Sequence, residues 1–115
     1  MTSNPVLSTH VLDTGLGRPA RGVPITLYRL GGGGATPVAN AVTDDDGRVR
    51  DLLGAKLEAG TYRIEFDLAG YARAQGRDNS FFSRFATEFE IKDTARSYHV
   101  PLILSPHSGI TYLGS

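Results

Sequence analysis

Thr61-Tyr-Arg-Ile-Glu-Phe-Asp67 alternates apolar and charged side chains without a break. Tyr62, Ile64 and Phe66 fall on one face, and Arg63, Glu65 and Asp67 on the other. An extended chain sorts them this way, because successive side chains point to opposite faces of a sheet. Phe85-Ala-Thr-Glu-Phe-Glu-Ile91 repeats the pattern, with Phe85, Phe89 and Ile91 inward and Glu88 and Glu90 outward. Two such runs predict strands with one buried face. Outward from them, short runs rich in β-branched and aromatic residues predict further strands near 6–13, 23–30, 36–43, 48–53, 97–105 and 108–113, with the two alternating runs at 61–68 and 84–91. Fourteen glycines and six prolines punctuate these runs, as turns between short strands require. Gly31–Gly34 reads as a hairpin loop, since the Lys-Ser/Thr and the helix of a phosphate-binding loop are missing. Asp67–Gln75 is richer in helix formers and predicts a short helix within 68–75, and 76–83 returns the chain to the next strand. The expected architecture is all-β, a sandwich of two antiparallel sheets in one domain spanning 1–115.

Composition narrows the function. With 115 residues the chain suits a single domain, and 40% hydrophobic content suits a globular one. Twelve Lys and Arg balance twelve Asp and Glu. Zero net charge provides no drive toward nucleic acid or an anionic membrane. The chain has no cysteine, so disulfides, thiolate nucleophiles and Cys-based zinc sites are excluded. No apolar run approaches the ~20 residues of a spanning helix. No signal peptide is visible in the opening residues, and the expected setting is cytoplasmic.

The residues able to carry chemistry are few and widely spaced. His10 lies in Val6-Leu-Ser-Thr-His-Val-Leu12, Arg48 follows the turn Thr43-Asp-Asp-Asp-Gly-Arg48, and His99 lies in Ser97-Tyr-His-Val-Pro-Leu-Ile-Leu-Ser105. Imidazole titrates near neutrality and can take a proton from water, and a guanidinium stays cationic and can stabilise an oxyanion. Taken singly, each has a plainer reading: a half-buried strand histidine, or a turn arginine pairing Asp45 or Asp46. A Ser-His-Asp centre is disfavoured by the lack of a nucleophile elbow. A zinc site on the two histidines is short of ligands, and Asp44-Asp-Asp-Gly47 lacks the spacing of a calcium loop. No metal is expected.

Three blocks resemble a known family. Leu7-Ser-Thr-His-Val-Leu-Asp-Thr14 with Gly17-Arg-Pro-Ala20 and Gly22-Val-Pro-Ile-Thr-Leu-Tyr-Arg29, then Thr43 to Arg48, then Tyr98-His-Val-Pro-Leu-Ile-Leu-Ser-Pro106, look like the transthyretin-related proteins, the 5-hydroxyisourate hydrolases of purine degradation. The likeness runs from about Val6 to Ser115. It implies a transthyretin- or prealbumin-like sandwich of two antiparallel four-stranded sheets with one short helix. It also implies a homotetramer, a dimer of dimers with active sites between subunits, and hydrolytic opening of 5-hydroxyisourate to 2-oxo-4-hydroxy-4-carboxy-5-ureidoimidazoline without metal or organic cofactor. The family's catalytic residues correspond to His10, Arg48 and His99. Its C-terminal substrate-binding tetrapeptide corresponds to Tyr112, Leu113, Gly114 and Ser115.

Leu113 departs from the arginine usual in that tetrapeptide. An apolar side chain cannot offer the planar fork of donors of a guanidinium. The departure leaves open a weakened hydrolase, an altered substrate, or replacement by another residue such as His107. The sequence also leaves open which histidine is the general base, with His99 favoured. Two competing functions remain: a transthyretin-like small-molecule binding protein, since the sandwich does not by itself confer activity, and a structural β-sandwich. Phe66, Phe81, Phe82, Phe85 and Phe89 are expected in the core or an interface, and Tyr28 and Tyr71 as packing residues.

Overall fold

The alternating stretch 61–67 lies in a strand, Gly60–Asp67, and its inward residues Tyr62, Ile64 and Phe66 are each 2% exposed or less. Burying side chains of this size contributes about 1.5–3 kcal/mol each. A computed structural model describes residues 4–77 and 81–115. In chain order the strands are β1 (Leu7–Asp13), β2 (Arg18–Pro19), β3 (Pro24–Gly31), β4 (Gly34–Val42), β5 (Arg48–Val49), β6 (Gly60–Asp67), β7 (Arg84–Ile91), β8 (Tyr98–His99), β9 (Leu102–Ser105) and β10 (Ser108–Thr111), with helix α1 (Leu68–Ala74) between β6 and β7. Of the return segment expected at 76–83, residues 78–80 lie outside the described residues.

The two sheets of the expected sandwich are present, and they differ in kind. One is four-stranded and antiparallel, in the order β4-β3-β6-β7. The other corrects the expectation of a second antiparallel four-stranded sheet. It has six short strands, and its central strand β1 runs parallel to β8 and β9 while pairing antiparallel with β2 and β5. Proline explains one break. The run at 97–105 is one path along β1, interrupted at Pro101, which has no N–H to donate to a ladder; Val100 N still donates to Ser8 O at 2.9 Å. The run at 48–53 stops at Val49, because Asp51 folds the chain back by accepting the Gly54 amide at 3.0 Å. The expected glycine hairpin joins β3 to β4, with Gly32 and Gly33 at φ of 59° and 79°, values that favour glycine in a two-residue hairpin loop.

The core lies between the sheets. Leu7, Val11, Ile25, Leu27, Ile64, Phe66, Ile91 and Leu102 are all nearly or fully inaccessible. Phe85 and Phe89 pack at its border, whereas Phe81 and Phe82 are exposed and take no part in it.

Asp67 caps α1 by accepting the Gly70 amide at 2.8 Å, the short acceptor favoured at an N-cap. The helix is tied to β1 through a buried polar group. Tyr71 donates to Asp13 Oδ2 at 2.8 Å, Arg77 Nη2 lies 3.4 Å from the same oxygen, and Leu16 N donates to Asp13 Oδ1 at 3.0 Å. Burial, and then the bond to Asp13 and its charge, push the Tyr71 phenol up to about 12. The folded chain therefore holds this proton more tightly than the unfolded one. The resulting stability is complete below the ordinary value of 10.0 and is lost as pH rises through about 12. Tyr71→Phe is expected to lower stability near neutrality by about 1–3 kcal/mol, because buried Asp13 loses a donor. It should also flatten the alkaline loss of Tm; melts at neutral pH and across that alkaline window check both.

Candidate active site

β1 organises the site. Its residues alternate strictly, with Leu7, Thr9, Val11 and Asp13 buried toward the other sheet and Ser8, His10 and Leu12 on the outer face. Neighbouring strands put partners beside that outer face in register: His99 lies opposite Ser8, and Arg48 lies opposite His10. Cross-strand partners share a face. The topology thus carries His10, Arg48 and His99, distant in sequence, onto one side of one sheet. Thr9, pointing inward, ties the break between β8 and β9 to β1 by donating to Val100 O at 2.6 Å.

The turn before Arg48 is built by Asp44. Its Oδ1 accepts the amides of Asp46 and Arg48, each at 2.9 Å, and the bond from Arg48 holds the carboxyl below its ordinary range. Gly47 has φ 76°, and a Cβ there would stand 2.4 Å from the Val11 carbonyl oxygen. Only glycine lets the turn approach β1 so closely. Asp45, a suspected partner of Arg48, instead pairs with Arg21 at 3.0 Å. Among the described residues the Arg48 side chain has no ion-pair partner, so its guanidinium is available to a ligand.

The two histidines are not equivalent. His10 Nε2 lies 2.8 Å from the Asp46 carbonyl oxygen. A carbonyl only accepts, so Nε2 carries the proton and secures the turn. His99 Nδ1 lies 2.8 Å from Ser8 Oγ, leaving Nε2 without a protein partner among the described residues. Burial, then the charges of Arg48 and His10, hold the His99 imidazole below its ordinary value of 6.5. It is therefore neutral at neutral pH, with a lone pair to accept a proton.

His99 and Arg48 line one cleft of about 340 Å3 together with Ser8, Gly114 and Ser115. His10 stands beside it, felt by His99 through its charge rather than as a wall. Gly114 reaches the cleft through a bridge to His99, its amide donating to the His99 carbonyl at 2.8 Å. Tyr112 and Leu113 face elsewhere: they line a neighbouring apolar cleft with Phe89 and Val100, and both are more than half exposed. His107 occupies the β9–β10 turn, at the opposite end of that hairpin from Gly114, so it does not replace an arginine at position 113.

The profile of the HIUase/transthyretin family matches residues 7–114. The chain belongs to this family. It is 42% identical to a 5-hydroxyisourate hydrolase of Deinococcus radiodurans over 119 aligned positions, covering all of both chains. Its fold superposes on the structure of Klebsiella pneumoniae 5-hydroxyisourate hydrolase with a TM-score of 0.85 at 35% identity, covering 96% of this chain and 99% of that one. It also superposes on sea bream transthyretin in complex with thyroxine, with a TM-score of 0.86 at 32% identity, covering 94% and 93%.

Against this family background several residues of the cleft escaped the sequence reading, Ser8, Arg50 and Arg96 among them. Ser8 was legible in principle, being two residues before His10 on the outer face of an alternating strand. Arg96 had no such signal; it lines the cleft because it lies two residues before β8, which carries His99. Gly114 makes a further prediction. A Cβ there would meet His99 Cδ2 at 2.7 Å, closer than real contacts allow, so Gly114→Ala must move either the ring or the tail. Misplacement of a reacting group by about 1 Å costs up to ~10²-fold in rate. We expect kcat to fall by about 10- to 100-fold with Tm little changed, checked by kinetics and a thermal melt on the same preparation.

Proposed function

We propose that this chain is a hydrolase that opens the six-membered cyclic ureide ring of 5-hydroxyisourate to 2-oxo-4-hydroxy-4-carboxy-5-ureidoimidazoline, in the breakdown of urate. The observation that carries the reading is His99, neutral and with Nε2 unpartnered, in one cleft with an unpaired Arg48. The full-length likeness to proteins named for this activity supports it. Water attacks the ring acyl carbonyl while His99 Nε2 takes its proton. Arg48 faces the oxyanion of the tetrahedral intermediate, where a fixed cation stabilises developing charge. The intermediate collapses with cleavage of the ring C–N bond, and imidazolium His99 returns the proton to the leaving nitrogen. Ser8 orients His99, and His10 holds the Asp44–Arg48 turn in place. Gly114 and Ser115 close the cleft, with Tyr112 and Leu113 bordering it from the adjoining surface.

The same reading has the protein work as a cytoplasmic homotetramer. Exposed Ile110, Tyr112 and Leu113, clustered on and just after β10, support burial against another copy. No described helix is long and apolar enough to cross a membrane. The deciding assay generates 5-hydroxyisourate fresh and follows its ultraviolet decay. Acceleration over the spontaneous rate is expected, and its absence rejects the hydrolase in favour of a transthyretin-like binding protein.

A further inference from the structure

The chain as a whole is electrically balanced, yet its candidate active-site cleft is not. Arg48, Arg50 and Arg96 line it, and none of its lining residues is an Asp or Glu. Three cations against the single terminal carboxylate of Ser115 create a local field that selects for negative charge. Arg96 is the best organised of the three beyond Arg48. Its Cζ sits 4.7 Å from the centroid of the Tyr98 ring, and its Nε donates to the Ser97 carbonyl at 3.2 Å. Tyr98 is itself clamped: its hydroxyl donates to Asp93 O at 2.9 Å and accepts the Asp93 amide at 3.0 Å. No carboxylate lies within 4.0 Å of Arg96 among the described residues. The two terminal nitrogens are therefore unspent. A planar edge of parallel N–H donors on a stacked guanidinium matches the adjacent oxygens of a planar anion. Leu113 has no such edge and lines the other cleft.

We propose that Arg96 is a substrate-anchoring, specificity-determining residue: it binds the negatively charged, carbonyl-rich edge of a planar ureide anion in the His99 cleft, supplying the guanidinium that position 113 does not. This rests on the ring-opening reading for its kinetic consequence, but its binding consequence stands separately.

The test uses the full chain in two arms. In the first, calorimetry measures binding of urate, a planar ureide anion at neutral pH, and of its fully N-methylated neutral counterpart. In the second, KM and kcat are measured on fresh 5-hydroxyisourate. Loss of one charge-assisted contact predicts that Arg96→Ala weakens urate binding and raises KM by about tenfold or more, with kcat nearly unchanged. Arg96→Lys, which keeps the charge without the planar fork, falls between. The neutral compound binds wild type weakly and Arg96→Ala no more weakly. Equal urate affinity and KM in wild type and Arg96→Ala would overturn the proposal, as would wild type that binds neither compound, or both equally. Wild type that binds urate through Arg96 but does not accelerate ring opening would retain the anion site and reject the hydrolase. An active wild type indifferent to Arg96→Ala would do the reverse.

Discussion

His99→Ala is expected to lower kcat for opening of 5-hydroxyisourate by about 10²- to 10⁴-fold, the range that a positioned general base supplies. The fold should survive, because the ring is only partly buried and its side-chain partner is the hydroxyl of Ser8. The pH dependence distinguishes loss of a base from loss of shape. In wild type the rate is expected to fall as pH drops through the His99 titration, because imidazolium cannot accept a proton from water. Burial, with Arg48 and His10 nearby, places that acid limb below 6.5. His99→Ala should remove the limb along with the rate. A residual rate with an unshifted limb would transfer the role of base to His10. The same titration touches stability: the unfolded chain binds the proton more readily than the folded one, so the His99 contribution is complete above 6.5 and is lost as pH falls through the lower folded value. The assay should therefore be paired with a melt at each pH.

The parts of this architecture readable in advance are those governed by local alternation. β6 and β7 announce themselves because each has one wet face and one dry face, and α1 because Asp67 caps a run of helix formers. β2 is two residues long and carries no period to read. β5 is cut short by the Asp51 side chain, a local contact that competes with the strand. The parallel pairing of β1 with β8 and β9 joins residues about ninety apart, and nothing in either segment encodes its partner's direction. The site divides in the same way. His10, Arg48 and His99 are visible as residue types in blocks of familiar order. Their meeting depends on the register of β1 with β5 and β8, which is a property of the sheet. Tyr112 and Leu113 show the limit of adjacency in sequence. They precede Gly114 directly, yet they line the neighbouring cleft, whereas Gly114 and Ser115 line the one that holds His99.

Arg48→Ala should be the second large loss, about 10²- to 10³-fold in kcat, the usual consequence of removing one oxyanion-stabilising donor. The expectation follows from how little else Arg48 does. Its backbone amide builds the turn by donating to Asp44 Oδ1, and alanine preserves that bond. Its side chain has no ion-pair partner among the described residues. Tm is therefore expected to change little while the rate collapses. Arg48→Lys should recover part of the rate, since a point charge survives but the planar fork does not. A second effect has a definite sign. Arg48 disfavours protonation of His99, so removing it lets the imidazole hold its proton to higher pH, and the acid limb of the pH–rate profile moves up toward 6.5. Arg48→Lys leaves the limb near its wild-type place. If Arg48→Ala reduced the rate and left the limb unmoved, the guanidinium would be acting on the substrate without sharing a field with His99. The single cleft would then have to be divided into two.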